Sequence, residues 1–170
     1  MDLKEKIRNI PDFPHEGILF RDITTLLKDA AAFGFAVDEL AGRYRDAAID
    51  KIAGIESRGF IVGSVLAYQL GKGFIPIRKP GKLPAETISA EYCLEYGTDR
   101  IEMHVDAVAA EDRVLLVDDL LATGGTMQAA GTLVEKAGGI VAECCFLIEL
   151  ADLKGRDKLR QWPVFSMITY

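Results

Sequence analysis

The spacing of apolar residues in the first quarter of the chain predicts two helices separated by an irregular stretch. Leu3, Ile7 and Ile10 recur at helical spacing, and Pro11 ends this short predicted helix. The following residues, as far as Thr25, keep no period and predict irregular structure. A longer helix is predicted from about residue 29 to residue 46, where apolar side chains recur every three or four positions: Phe33, Val37, Leu40 and Tyr44.

After residue 50, short apolar runs alternate with helical segments. The predicted elements are a strand at 52–55, a turn at 56–59, a helix at 60–70, strands at 74–77 and 114–117, a helix ending at 137 and a strand at 140–150. The run at 114–117 is continuously apolar, as in a strand buried on both faces of a parallel sheet. This alternation predicts an α/β fold with a doubly wound, mostly parallel sheet flanked by helices.

One part of the chain follows a different period. Between residues 90 and 105, apolar and polar side chains alternate in two runs on either side of Gly97-Thr98-Asp99. Alternation of this kind around a turn signal predicts an antiparallel β-hairpin. We expect this hairpin to be an insertion on the parallel sheet.

The net charge is −6, with 49% hydrophobic and 27% charged residues. An acidic chain with no basic stripe does not favour nucleic-acid binding, and no apolar run approaches the roughly 20 residues that span a membrane. Four cations nevertheless lie close together in the sequence, which is compatible with a small anionic substrate: Lys72, Arg78, Lys79 and Lys82.

The cysteines and histidines favour neither a disulfide framework nor a zinc site. The three cysteines are Cys93, Cys144 and Cys145, and no CxxC motif occurs. The two histidines, His15 and His104, lie far apart in the sequence. Together with a first turn of mixed charge, which is unlike a secretory signal, this predicts a cytoplasmic protein.

The segment after the apolar run at 114–117 carries the most chemistry. Asp118 and Asp119 follow the predicted strand, and the chain continues as Ala122-Thr123-Gly124-Gly125-Thr126 into a helix. The two glycines let backbone N–H groups approach an anion closely, the threonines add hydroxyl donors, and the helix dipole favours negative charge. The sequence therefore predicts a phosphate site at the carboxyl end of a strand.

Two other interpretations of this segment are a different nucleotide-binding class and a purely structural strand end. The loop matches neither GxxxxGK[ST] nor GxGxxG, so a nucleotide triphosphatase or a nicotinamide dehydrogenase fits poorly. The acids and the glycines, each taken alone, are compatible with an ordinary strand end and turn. Two adjacent carboxylates at a buried strand end, however, are costly to desolvate unless ligand hydroxyls or a metal pair with them.

The apolar run, the acidic pair and Ala-Thr-Gly-Gly-Thr resemble the phosphoribosyl-diphosphate motif of the type I phosphoribosyltransferases. The resemblance implies that Ala122, Thr123, Gly124, Gly125 and Thr126 hold the ribose 5-phosphate. It also implies that Asp118 and Asp119 meet the ribose hydroxyls and that Mg²⁺ is held mainly through the substrate. The implied fold is a single domain over residues 1–170 with a small N-terminal hood.

Four further blocks, at 13–23, 56–60, 78–84 and 94–97, resemble the members of that family that act on adenine. They imply transfer of the phosphoribosyl group to adenine, giving AMP and pyrophosphate, by a homodimer. Residues 1–28 are the implied base-binding segment, with Leu19, Phe20, Arg21 and Leu150 at the base. One departure is Glu16-Gly17, where family members often carry Pro-Gly.

The resemblance also assigns the pyrophosphate site, to Ser57, Arg58, Arg78, Lys79 and Lys82. The last three begin the implied flexible lid hairpin, residues 78–105, which would close over pyrophosphate and exclude water. The alternative interpretation is a surface arginine at 58 and an ordinary charged loop.

Within the implied lid, Glu95 is the expected proton-transfer group, and Tyr96 is an expected lid residue. The implied catalytic set is Glu95, Arg58, Asp118 and Asp119. A strand glutamate is more often simply solvated, so this role depends on the resemblance. Rival functions are transfer to xanthine, guanine or orotate, a non-catalytic regulator of the same fold, and a phosphoacceptor signalling domain.

Overall fold

A computed structural model describes residues 1–94 and 97–170, and the chain divides into two units, Met1–Arg45 and Asp46–Tyr170. The N-terminal unit contains, in order, a 3-10 helix at Lys4–Lys6, β1 at Arg8–Pro11, β2 at Leu19–Asp22, α1 at Thr24–Leu27 and α2 at Ala30–Tyr44. None of the helices in the described ranges is both long enough and apolar enough to cross a membrane.

Of the predicted helix at residues 3–10, only the 3-10 helix at Lys4–Lys6 forms, and the prediction is wrong for the remainder. β1 and β2 pair antiparallel, with Ile10 opposite Phe20, so a strand also replaces part of the predicted irregular stretch. Leu3 and Ile7 are buried as their spacing suggested, but a segment this short forms no stable helix by itself, and pairing with β2 decides its conformation. The predicted second helix is confirmed as α2, whose N-cap, Asp29, accepts hydrogen bonds from two backbone N–H groups.

The second unit contains most of the strands. Its elements are β3 at Lys51–Ile55, α3 at Arg58–Leu70, β4 at Gly73–Ile77, β5 at Thr87–Leu94, β6 at Gly97–His104, β7 at Arg113–Leu121, α4 at Gly125–Lys136, β8 at Ile140–Glu149, a 3-10 helix at Ala151–Leu153, a second at Gly155–Lys158 and β9 at Val164–Thr169. Five strands form one sheet in the order β4-β3-β7-β8-β9, and every pair in it is parallel.

The order of the strands shows that the sheet is doubly wound, as predicted. From β3 the chain crosses through α3 to β4 on one side, whereas β7 lies on the other side of β3 and α4 leads outward to β8. Right-handed crossovers in opposite directions put the two helices on opposite faces. The direction reverses between β3 and β7, and ligands of such sheets bind beyond the strand ends at this point.

The hairpin insertion is confirmed, but its predicted turn is wrong. β5 and β6 form a separate antiparallel sheet, and both pack against α4. Gly97, Thr98 and Asp99 are the first residues of β6 and not a turn, because they pair with β5, Thr98 opposite Cys93 and Asp99 opposite Tyr92.

The acidic pair lies within a strand, and not after it as the sequence suggested. β7 continues past the buried run at 114–117 as far as Leu121, and Asp118 is paired with Phe146 of β8. Pairing with β8 therefore extends the strand across polar residues that break the apolar pattern.

Candidate active site

A pocket opens where β7 ends and α4 begins. It is lined by one carboxylate, the glycine-rich loop and apolar side chains: Asp118, Leu120, Leu121, Ala122, Thr123, Gly124, Gly125, Thr126, Met127 and Phe146. The first backbone N–H groups of a helix have no intrahelical acceptor, so the start of α4 offers donors to an anion. All five loop residues predicted for the phosphate site thus line one pocket.

The shape of the loop depends on one glycine within it, Gly124, and on one outside it, Gly155. Gly124, the N-cap of α4, has φ +81°, a left-handed conformation that other residues adopt only at a cost. A Cβ atom at Gly124 would overlap the carbonyl oxygen of Gly155, and a Cβ atom at Gly155 would overlap the carbonyl oxygen of Ala122. The loop is therefore in direct backbone contact with the segment that follows β8.

The predicted acidic pair is brought together with Arg58, at the start of α3. Arg58 Nε lies 2.7 Å from Asp119 Oδ2, and the Asp119 side chain is 7% exposed. Asp118 is half-buried, and its Oδ1 accepts a hydrogen bond of 2.9 Å from the Asp119 backbone N–H. This arrangement joins the ends of β3 and β7 by an ion pair at the point where the winding of the sheet reverses.

Burial sets the electrostatics of the two acids. It raises the pKa of Asp118 well above its ordinary value, and the neighbouring charge of Asp119 raises it further. Burial also raises the pKa of Asp119, although the Arg58 guanidinium opposes this. A single arginine therefore does not fully stabilise two ionised acids, and positive charge or hydroxyl donors of a ligand would favour their ionised forms.

A close approach of two backbones makes the ion pair possible. A Cβ atom at Gly59 would lie 2.8 Å from the Val117 carbonyl oxygen and 3.0 Å from Asp118 Oδ1. Glycine therefore lets the first turn of α3 pack directly on β7. Ser57 immediately precedes this turn, and its peptide bond with Glu56 is cis.

Sequence reasoning did not single out Glu56 itself, although it follows directly after a buried strand. Its Oε2 accepts hydrogen bonds from Arg78 Nε at 2.9 Å and from the Lys79 backbone N–H at 3.0 Å. The start of the predicted basic segment is thereby tied to the end of β3.

The basic residues of that segment do not act as one group in this structure. Lys79 Nζ donates to the Tyr92 hydroxyl at 2.7 Å and pairs with Asp99 of the hairpin. Burial alone would lower the pKa of Lys79, but these hydrogen bonds outweigh it and raise the pKa. Lys82 is exposed, and its backbone carbonyl accepts a hydrogen bond from Arg78.

The residues predicted to contact the base fall in separate parts of the chain. β2 of the N-terminal unit contains Leu19, Phe20 and Arg21. The Phe20 ring packs edge-on against the Phe13 ring, with their centroids 5.1 Å apart. Leu150 follows β8, and its backbone N–H donates to the Leu121 carbonyl at 2.9 Å. The two lid residues predicted at 95 and 96 lie outside the described residues.

The acid pair is compatible with a metal held partly by substrate. In the described part of the chain, no group of three or more His, Cys, Asp or Glu side chains is placed to hold a metal ion. Mg²⁺ commonly binds through one or two carboxylates, with water and substrate phosphates completing its shell. Asp118 and Asp119 supply such a partial set, and a cation would favour their ionised forms.

This chain belongs to the phosphoribosyltransferase family: the sequence model described as a phosphoribosyl transferase domain matches residues 24–168. Within the family it belongs with the adenine phosphoribosyltransferases. The enzyme of that name from Nitrosomonas europaea is 60% identical over 172 residues, which cover 100% of this chain and 99% of the relative.

Solved structures agree with this branch of the family. The adenine phosphoribosyltransferase of Thermoanaerobacter pseudethanolicus has a TM-score of 0.97 at 55% identity, covering 99% of this chain and 98% of that one. The Saccharomyces cerevisiae enzyme, solved with an imino-altritol bisphosphate and adenine, has a TM-score of 0.92 at 44% identity, covering 98% and 96%. The type I phosphoribosyltransferase fold is therefore confirmed.

Proposed function

We propose that this chain is a purine salvage enzyme that transfers the 5-phosphoribosyl group from phosphoribosyl diphosphate to adenine, releasing AMP and pyrophosphate. The observation that carries the proposal is the pocket of loop 122–126 beside Asp118 and Asp119, at the switch point of the parallel sheet. Full-length similarity to adenine phosphoribosyltransferases supports adenine as the acceptor.

The sugar phosphate is proposed to bind along the end of β7. Backbone N–H groups at the start of α4 and the hydroxyls of Thr123 and Thr126 hold the 5-phosphate. Asp118 and Asp119 accept hydrogen bonds from the ribose hydroxyls. Ser57 and Arg58, across the switch point, face the pyrophosphate.

In the proposed reaction, the bond between ribose C1 and the pyrophosphate oxygen breaks and a bond from adenine N9 to C1 forms. Positive charge develops on the sugar ring, and the negative field of Asp118 and Asp119 stabilises it in a site closed to water. Adenine loses the proton on the imidazole nitrogen opposite N9, and the Glu95 carboxylate is the proposed group that accepts it. When bound, Mg²⁺ would neutralise negative charge on the departing pyrophosphate.

The adenine site is proposed to use β2 and the residue after β8. Backbone groups of Leu19 and Arg21 would pair with the edge of adenine while Phe20 covers its face. Leu150 is proposed separately as an adenine contact. A base with the wrong donor pattern would leave buried polar groups unpaired, which discriminates strongly. Residues 1–28 are the proposed base-binding segment.

The hairpin is proposed to act as the lid, residues 78–105, with Tyr96 among its contacts. Arg78, Lys79 and Lys82 would meet pyrophosphate when it closes. The link from Glu56 to Arg78 supports this role, because it ties the base of the lid to the strand that precedes Ser57. For Lys79 to take part, its ion pair with Asp99 must open.

The proposed reaction is tested by mixing purified protein, Mg²⁺ and phosphoribosyl diphosphate with adenine, hypoxanthine, guanine, xanthine or orotate in turn. Nucleotide products are separated by anion-exchange chromatography. We expect AMP and an equal amount of pyrophosphate with adenine, and at least about a hundredfold less product with any other base. Product from another base at a similar rate would show that the acceptor is wrong.

Two further properties belong to this proposal. We propose a homodimer, supported by the exposed apolar side chains of Ile61 and Tyr68, which lie two turns apart on α3. Light scattering of the purified protein tests it. We also propose a cytoplasmic location, where thiols stay reduced, because no disulfide joins Cys93, Cys144 or Cys145 in the described residues.

A further inference from the structure

We propose that Arg156 and Glu149 are positioning residues for the phosphate loop, residues 122–126, and that they act on it through Gly155. The inference rests on the proposed function, because it assigns a role in binding phosphoribosyl diphosphate to residues outside the pocket. Neither side chain lines the pocket, and neither was assigned a role from sequence.

Gly155 is the point of contact between this pair and the loop. A Cβ atom there would overlap the Ala122 carbonyl oxygen and lie 2.7 Å from the Leu121 side chain. In return, a Cβ atom at Gly124 would overlap the Gly155 carbonyl oxygen. The Gly155 backbone is therefore in van der Waals contact with the backbones of Ala122 and Gly124, and it supports loop 122–126 from behind.

Arg156 holds Gly155 in place through the end of the sheet. Its Nε and Nη2 each donate to a different oxygen of Glu149, both at 2.7 Å, which is the bidentate geometry of a strong ion pair. Its Nη1 also donates to the Val164 carbonyl at 3.0 Å. The guanidinium thus links the end of β8 to the start of β9.

Glu149 gives this anchor its rigidity. It is the last residue of β8, only 6% exposed, and hydrogen bonding to Arg156 lowers its pKa. Because a buried carboxylate is costly without a partner, the pair strongly favours one position of Arg156. Gly155, the preceding residue, then has little freedom to move away from Gly124.

The consequence concerns affinity for phosphoribosyl diphosphate alone. Gly124 is in a left-handed conformation, and a loop without this support would sample other conformations. Binding the 5-phosphate would then have to order the loop again. The proposed adenine contacts of β2 would be unaffected, and the Leu150 backbone would stay held by its hydrogen bond to the Leu121 carbonyl.

The test compares Arg156→Gln, Glu149→Gln and the double variant with wild-type protein. Arg160→Gln is the matched control, because Arg160 lies nearby in the sequence and pairs with Asp157 at 2.8 Å on the exposed surface. We expect each single variant to raise KM for phosphoribosyl diphosphate about tenfold, with KM for adenine within about twofold. The double variant should have a KM for phosphoribosyl diphosphate no higher than that of the more impaired single variant. Arg156→Lys should recover part of the lost affinity, and Arg160→Gln should have the wild-type KM.

Gly155→Ala provides an independent test if the charge variants fold poorly, because it keeps the ion pair and alters the contacts of Gly155 with Ala122 and Leu121. It should also raise KM for phosphoribosyl diphosphate and weaken binding of ribose 5-phosphate measured by calorimetry. Unchanged KM for phosphoribosyl diphosphate in a folded variant, or equal rises for both substrates, would overturn the inference. Wild-type protein that makes no AMP would instead refute the proposed function.

Discussion

Replacing Gly124 by alanine tests whether the phosphate loop needs its observed conformation. A left-handed conformation costs a residue with a side chain about 1–2 kcal/mol. Overlap of the new Cβ atom with the Gly155 carbonyl oxygen adds about 1–3 kcal/mol if nothing moves. The loop relieves this by shifting, so part of the cost appears as lost affinity for phosphoribosyl diphosphate.

A loss of about 2 kcal/mol corresponds to roughly thirtyfold in kcat/KM. We therefore expect Gly124→Ala to lower kcat/KM for phosphoribosyl diphosphate by at least about tenfold. The assay is initial velocity of AMP formation at saturating adenine, followed by the absorbance change or by chromatography. Unfolding midpoints measured in parallel report whether the variant remains folded.

Gly71→Ala is the matched control. Gly71 also has positive φ, +64°, at the C-terminal end of α3, but a Cβ atom there would meet no atom within 4 Å. It shares the backbone strain without the overlap, so it should lose about 1 kcal/mol of stability and keep wild-type kinetics. A folded Gly124→Ala variant with wild-type kcat/KM would refute the reasoning, as would an equal kinetic loss in the control.

Four further predictions follow from the remaining contacts and charges. Asp119→Asn, which removes the carboxylate paired with Arg58, should lower kcat/KM for phosphoribosyl diphosphate at least about tenfold. Its unfolding midpoint should change little, because repulsion between Asp118 and Asp119 is also relieved. Full activity would exclude the sugar-side role. Glu95→Gln should lower kcat more than it weakens adenine binding, measured by steady-state kinetics and calorimetry, and an unchanged kcat would contradict proton transfer. A thiol reagent should label Cys93 in the native protein and all three cysteines after unfolding, because Cys93 is exposed whereas burial raises the pKa of Cys144 to about 12; fast reaction of more than one native thiol would count against the fold. The backbone N–H of Thr24 and the side chain of Arg8 lower the pKa of Asp22 to about 2, so ionised Asp22 stabilises the folded state above its ordinary pKa of 3.8. The difference in free energy of unfolding between wild type and Asp22→Asn, measured with urea, should be constant above pH 5 and shrink as the pH falls from 3.8 towards 2. A difference that does not change over that interval would contradict the lowered pKa.

The acid pair and its arginine illustrate why this site belongs at a switch point. Arg58 begins the helix after β3, whereas Asp119 lies on β7, and the two strands are neighbours only because the winding reverses between them. An ion pair at 2.7 Å across this boundary holds the two halves of the proposed substrate site in register. The β7 side carries two acids against one arginine, and the positive charge proposed to develop on the ribose would favour their ionised forms.

Local features of the chain were sufficient to predict much of the fold. The helix at Ala30–Tyr44, the apolar run at 114–117 and the Ala-Thr-Gly-Gly-Thr loop depend on residues close in sequence, whose periodicity and turn chemistry act over a few positions. The same is true of the alternation that predicted the hairpin. The sequence by itself therefore determined the fold class and the loop of the proposed phosphate site.

Tertiary structure alone decided the features that join distant segments. Residues 8–11 became a strand because β2 pairs with them, and β7 extends through its acids because β8 continues alongside. Contact of Gly155 with Gly124 and pairing of Lys79 with Asp99 join residues 20 or more positions apart. Such contacts depend on how strands and helices pack in three dimensions, and the periodicity of a local segment carries no information about its partner.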